Sequence, residues 1–170
     1  MQTPLKIKMK LKSNPILLSV LCIIVGLVST GFTYVQSSIK ERYEQIRTQP
    51  ISGTVGEKLL TIAQHFKGVP YVAHTLESEA GEQLVCRFDA FDCTTLVENL
   101  VALTSSKQQN ATFEAFQEEL TRVRYRNGQI NHYGSSLHYF VDWAHENEQR
   151  GIVKNISQQL GGVLHAKPIH

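Results

Sequence analysis

From Ile16 to about Val35 the chain is mainly apolar, broken by Ser19, Gly26 and the Ser29-Thr30-Gly31 patch, and this run limits how much of it can build a globule. Roughly 20 apolar residues suffice to cross a bilayer. Lys6, Lys8, Lys10 and Lys12 precede the run, and no acidic residue occurs before Glu41. Basic flanks of this kind hold the N-terminus on the cytoplasmic side and direct the rest outward. Residues 1–35 are therefore expected to be a signal peptide or a signal anchor, and the chain to be exported to the periplasm or cell envelope. Small residues near the end of the run suit cleavage. The lack of an Ala-x-Ala site favours a retained membrane anchor.

What remains is one ordinary globular composition. Of 17 basic residues the four early lysines are set aside, and the other 13 face 15 acidic ones. A slightly acidic remainder carries no basic footprint for nucleic acid. Residues 36–53 are polar and contain Pro50 and Gly53, which suggests a linker, either a stalk or a lead-in helix.

From Thr54 the pattern turns helical. Thr54-Val55-Gly56-Glu57 has the form of a capping box, followed by Leu59, Ile62, Ala63 and Phe66 at helical spacing. A second helix is predicted from Asp92, burying Leu96, Val97, Leu100 and Val101. A third spans Thr112 to Arg124, with Phe113, Phe116, Leu120 and Val123 on one face. A fourth covers Leu137 to Gln149, aligning Leu137, Phe140, Val141 and Ala144, and stops at Gly151. Leu84-Val85-Cys86 reads as a strand or an extended loop. Residues 156–160 form a short helix or turn, and 163–170 an unpatterned tail.

Phe91-Asp92-Cys93-Thr94-Thr95 carries the chemistry. Asp92 occupies an N-cap position, which puts Cys93 in the first helical turn. Unpaired amides and the helix dipole favour an anion there, hence the thiolate. The Asp92 carboxylate acts in the opposite direction. Taken alone, a cysteine is more often a small packed hydrophobe than a nucleophile. An oxidising compartment would also permit a Cys86–Cys93 disulfide, which the spacing neither requires nor forbids.

Gly68-Val69-Pro70-Tyr71-Val72-Ala73, followed by Phe91-Asp92-Cys93-Thr94-Thr95-Leu96-Val97-Glu98, resembles the NlpC/p60 papain-like superfamily. More narrowly, it resembles the N-acetylmuramoyl-L-alanine amidase-like branch, domain of unknown function 1460. Tyr125-Arg126-Asn127-Gly128, Leu137-His138-Tyr139-Phe140-Val141-Asp142-Trp143 and Gly151-Ile152-Val153 extend the likeness over residues 55–162. The resemblance implies an α+β fold and cysteine hydrolysis of an amide in peptidoglycan, either muramoyl-L-alanine or within the stem peptide. It implies Cys93 as nucleophile and Tyr71 beside the thiolate. Asp92 and His138 would line the site or contact substrate. No cofactor is implied.

The pattern departs from the family in one respect. The superfamily's general base follows the cysteine on a strand, in a His-x-Gly-like motif. Nothing after Gly162 matches it, although His165 and His170 are present. The expectation is thus the helical N-terminal half of a papain-like domain (54–162), with most of the sheet and the catalytic histidine missing. Its function is either amidase or inactive wall-binding remnant. His138 is the best substitute base, and Ser136 stands where that branch carries a basic residue. His65 and His74 read as surface or satisfied core residues. A metal site is not expected: His138 and His145 would lie about 10 Å apart along a helix, too far for one zinc ion with bonds near ~2 Å.

Overall fold

The computed structural model describes residues 38–77, 81–109 and 112–163. The chain divides after Ser38 into two compact units, and the second, Ile39–His170, holds the core and the cleft. The apolar run 16–35 and the histidines of the 164–170 tail lie outside the described residues. Among the described residues no helix is long and apolar enough to cross a membrane.

The described residues hold five helices: α1 (38–48), α2 (Val55–Gln64), α3 (Cys93–Gln109), α4 (Phe113–Arg124) and α5 (Phe140–Gln149). Two short 3-10 turns, Arg126–Gly128 and Tyr133–Ser135, join α4 to α5. In place of strands, the described residues contain two isolated bridges, Tyr71 with Phe91 and Tyr125 with Ser136. The 84–86 segment is extended but pairs with no strand.

Each helix starts where its chemistry allows. Thr54 and Glu57 close the capping box at α2: the Thr54 amide donates to Glu57 Oε2 at 2.7 Å and the Glu57 amide to Thr54 Oγ1 at 3.4 Å. Hydrogen bonds from the Thr54 amide and hydroxyl hold the Glu57 carboxyl below the usual carboxylate range. Thr112 caps α4 through the Ala115 amide at 3.1 Å. Gly151, at φ +70°, takes the left-handed conformation that ends α5 at little steric cost.

The core is chiefly aromatic. Tyr43, Phe66, Phe88, Phe91, Phe113 and Phe116 are buried together with Ile46, Ile62, Ala102, Leu103 and Leu120. Phe116 contacts the rings of Tyr43, Phe88 and Phe113 at centroid distances of 5.6, 5.4 and 5.9 Å. The Tyr43 hydroxyl donates to the Thr112 carbonyl at 2.8 Å, so this ring buries its body without orphaning its polar end. Of the two forms expected for 36–53, the lead-in helix is the one seen. Through Tyr43 and Ile46 it belongs to the core, so the folded unit begins well before Thr54.

The predicted α5 face needs correction, and the α3 face is met by Leu96 and Leu100 on the main core and Val101 on the second cluster but not by Val97. On α3 the buried residues are Thr95, Glu98, Asn99, Ala102, Leu103, Thr104 and Ser106, while Val97 is 41% exposed and Leu96, Leu100 and Val101 are half-buried. Polar groups on that face find partners in part: Asn99 donates to the Thr95 carbonyl at 2.7 Å while its Oδ1 is left without a partner among the described residues, and Glu98 meets Arg124. The fourth predicted helix begins at Phe140 rather than Leu137. Leu137 is instead extended, its amide donating to the Arg124 carbonyl at 2.9 Å. α5 therefore turns Trp143 and Asn147 inward, leaving Phe140 and Val141 63% and 77% exposed. Trp143 packs with Val123 and Leu137 in a second, smaller cluster.

Candidate functional site

The site is built around the start of α3. Phe91 anchors the approach: its amide donates to the Pro70 carbonyl at 3.2 Å and its carbonyl accepts from the Val72 amide at 2.9 Å. Its ring is buried against Phe66 at 5.1 Å. That bridge fixes where the next residue, Asp92, enters the helix.

Asp92 is the N-cap. Its Oδ1 accepts from the Thr95 amide at 2.7 Å and from the Thr95 hydroxyl at 2.9 Å, and the Asp92 amide donates back to Thr95 Oγ1 at 2.9 Å. This reciprocal pair satisfies two amides that would otherwise be orphaned at the helix start. Cys93 follows as the first residue of α3, its side chain exposed and its thiol free. Its Sγ lies 4.0 Å from Thr94 Oγ1. Cys86 is also a free thiol, half-buried 4.0 Å from Gln117 Nε2, and burial pushes its pKa up. The two cysteines are not joined in a disulfide.

Beside this helix start lies a cleft of about 560 Å³. One wall comes from residues 73–77, a second from Asp92, Thr94, Thr95 and Glu98, and a third from Tyr133 and residues 136–139. The structure thus brings Asp92 and His138 to one cleft. Cys93 and Tyr71 are exposed and do not line it. Tyr71 is carried to the helix start by its backbone pairing with Phe91, with its ring 71% exposed.

His138 is placed by an extended segment, not by the helix expected for it. Ser136 pairs with Tyr125, and Leu137 is pinned to Arg124, which presents His138 to the cleft. The ring stacks on Tyr133 at 4.0 Å, and Nε2 lies 3.0 Å from the Tyr133 carbonyl. A carbonyl only accepts, so in the neutral ring Nε2 carries the proton and Nδ1 is the open acceptor. No hydrogen bond joins His138 to Cys93 among the described residues. No group of three or more His, Cys, Asp or Glu residues among them could hold a metal ion.

Behind the cleft is a feature that the sequence patterns did not reveal. Glu98 Oε2 accepts from Arg124 Nε at 2.7 Å, and both side chains are 2% exposed. Arg124 Nη1 also donates to the Val85 carbonyl at 2.7 Å. Burial raises the Glu98 pKa, and Arg124 opposes that rise. Next to it the Tyr125 hydroxyl donates to Glu82 Oε1 at 2.9 Å and to the Gln83 carbonyl at 3.0 Å. One available signal was the spacing Thr95, Glu98, Asn99, Ala102, Ser106, a helical stripe competing with the apolar one.

Residues 61–169 match the profile of the N-acetylmuramoyl-L-alanine amidase-like family, and the chain belongs to that family. It is similar to the crystal structure of an N-acetylmuramoyl-L-alanine amidase from Bacteroides uniformis, with 41% identity over 58% of this chain and a TM-score of 0.55. It is also similar to a Legionella pneumophila protein of the domain-of-unknown-function-1460 family, with 30% identity over 71% of this chain and a TM-score of 0.57. The chain spans 42% and 39% of those two chains. No curated protein sequence matches it.

Proposed function

We propose that this chain is an exported cysteine amidase of peptidoglycan, with an α+β, papain-like NlpC/p60 fold and Cys93 as nucleophile. Membership of the amidase-like family supports the substrate class. The observation that carries the nucleophile is an exposed, free Cys93 as the first residue of an N-capped helix. Helix-start amides there supply donors for a developing oxyanion. In the reaction Cys93 would surrender its proton to a base, and its sulfur would form a thioester with the acyl carbon as the C–N bond breaks. The amine would leave with the proton, and water would then release the acid and restore the thiol. Export rests on the lysine-flanked apolar run at 16–35.

A second reading is that the 170 residues bind wall peptides without turning them over. The observation favouring it is the lack of a hydrogen bond between Cys93 and His138, whose Nε2 is engaged by Tyr133. Purified full chain treated with iodoacetamide near neutral pH, beside a Cys93→Ala control, separates the two. Labelling of Cys93 faster than a model thiol, with release of muropeptide fragments, is the amidase outcome. A thiol no faster than the model, with no release, leaves only binding.

A further inference from the structure

We infer that His74, oriented by Glu77, is the base that takes the Cys93 proton. This deepens the amidase reading, which leaves that base unnamed, and it rests on Cys93 being the nucleophile.

The backbone at His74 is strained. Its φ is +59°, in the left-handed region that suits glycine. His74 opens the 74–77 turn and Glu77 closes it, so the two side chains meet, with Nδ1 2.8 Å from Glu77 Oε1. They are 79% and 71% exposed, and an ion pair so open to water contributes little stability. Stability therefore does not explain a histidine in this conformation, and a use for its ring does.

The ring is set up to accept a proton. A carboxylate only accepts, so in the neutral ring Nδ1 carries the hydrogen and Nε2 is the acceptor. Nε2 has no hydrogen-bond partner among the described residues. One nitrogen anchored by a carboxylate, with the other open, is the arrangement of an imidazole base in acyl transfer. His138 is the reverse: its Nε2 is tied to the Tyr133 carbonyl.

The backbone also relates His74 to the start of α3. Tyr71 and Phe91 pair in parallel, with the Val72 amide on the Phe91 carbonyl at 2.9 Å, so both segments leave the bridge in the same direction. One reaches His74 and the other Cys93 within three residues. His74 lines the same cleft as Asp92 and Thr94, the residues on either side of Cys93. No hydrogen bond joins His74 to Cys93 among the described residues. Contacts of this kind commonly tighten only around bound substrate.

In the step, the Cys93 S–H proton passes to His74 Nε2 as the sulfur attacks the acyl carbon. The thioester forms as the C–N bond breaks, and the imidazolium gives its proton to the leaving amine. Water then attacks the thioester, passing one proton through Nε2 to the departing sulfur, and the acid is released.

The test uses the full chain, with mass-mapped iodoacetamide labelling of Cys93 near neutral pH and release of muropeptide fragments measured side by side. His74→Gly accepts the left-handed φ without strain, so its unfolding midpoint should equal or exceed the native one. Its Cys93 should label no faster than a model thiol, and its release should fall about 100-fold. Added imidazole should restore release in His74→Gly and not in Cys93→Ala. Glu77→Ala should lie between the native chain and His74→Gly, and Glu77→Gln, which keeps an acceptor for the Nδ1 hydrogen, should recover part of the loss. Labelling of His74→Gly at the native rate overturns the base and leaves the nucleophile standing, as does a loss of release that imidazole does not restore. If the native chain releases nothing, labelling alone decides. A native Cys93 no faster than the model thiol removes the nucleophile, and the base with it.

Discussion

Glu98 on α3 and Arg124 at the end of α4 form a fully buried ion pair, 2.7 Å between Oε2 and Nε, directly behind the cleft. Arg124 extends the pair to the Val85 carbonyl, so one guanidinium ties the Cys93 helix, α4 and the 84–86 segment together. Removing Arg124 leaves an uncompensated carboxylate and a carbonyl without its donor. Arg124→Leu should cost about 3–5 kcal/mol by denaturant unfolding. Glu98→Leu with Arg124→Leu should cost clearly less than the sum of the singles. An additive pair of effects would show that the contact contributes little.

The same pair sets a pH dependence. Burial already raises the Glu98 pKa and Arg124 is what lowers it, so without Arg124 the folded-state value climbs further above the unfolded one. A group raised in this way favours the folded state below its unfolded pKa and loses that contribution as pH rises through the folded value. Arg124→Leu should therefore be less destabilised near pH 5 than at pH 8 relative to wild type. A pH-independent difference in unfolding midpoint would contradict this.

Asp92 serves the helix start by its acceptor oxygen, and its charge is incidental to that task. Asp92→Ala should cost about 1 kcal/mol, as loss of an N-cap does, whereas Asp92→Asn keeps the cap and should cost a few tenths. Removing the anion beside Cys93 should leave its alkylation as fast or faster in Asp92→Asn. Slower alkylation with the cap preserved would mean the carboxylate assists the thiol.

The two described cysteines should separate cleanly in a Cys22→Ser background. Cys86 is half-buried with its pKa pushed up by burial, while Cys93 is exposed. Mass-mapped iodoacetamide labelling should modify Cys93 in the native chain and reach Cys86 at a comparable rate only after denaturation. Equal native rates would show that the segment around Cys86 opens readily.

The inward face of α5 can be checked by contrast. Trp143→Ala should cost about 3–5 kcal/mol, and Val141→Ser should stay within about 0.5 kcal/mol. The reverse ranking would restore the face expected from periodicity.

Much of the framework was legible because it is local. The Thr54–Glu57 box, the Thr112 cap, the Phe113-Phe116-Leu120-Val123 stripe and the Asp92–Cys93 helix start each depend on groups a few residues apart. A linear pattern records such relations faithfully. The α5 face was misread, and the buried polar stripe of α3 was missed, because both helices offer two plausible stripes and propensity does not choose between them. That choice fell to partners far away in the chain.

By itself, then, the sequence determined where α2, α3 and α4 begin and that a cysteine opens α3, since capping hydrogen bonds reach only three or four residues. Only the tertiary structure decided that Glu98 would be buried, that His138 would sit on an extended segment stacked on Tyr133, and that Thr75 would be buried. The physical reason is that burying a charge or a hydroxyl is settled by what packs against it. For Glu98 that partner is Arg124, 26 residues on.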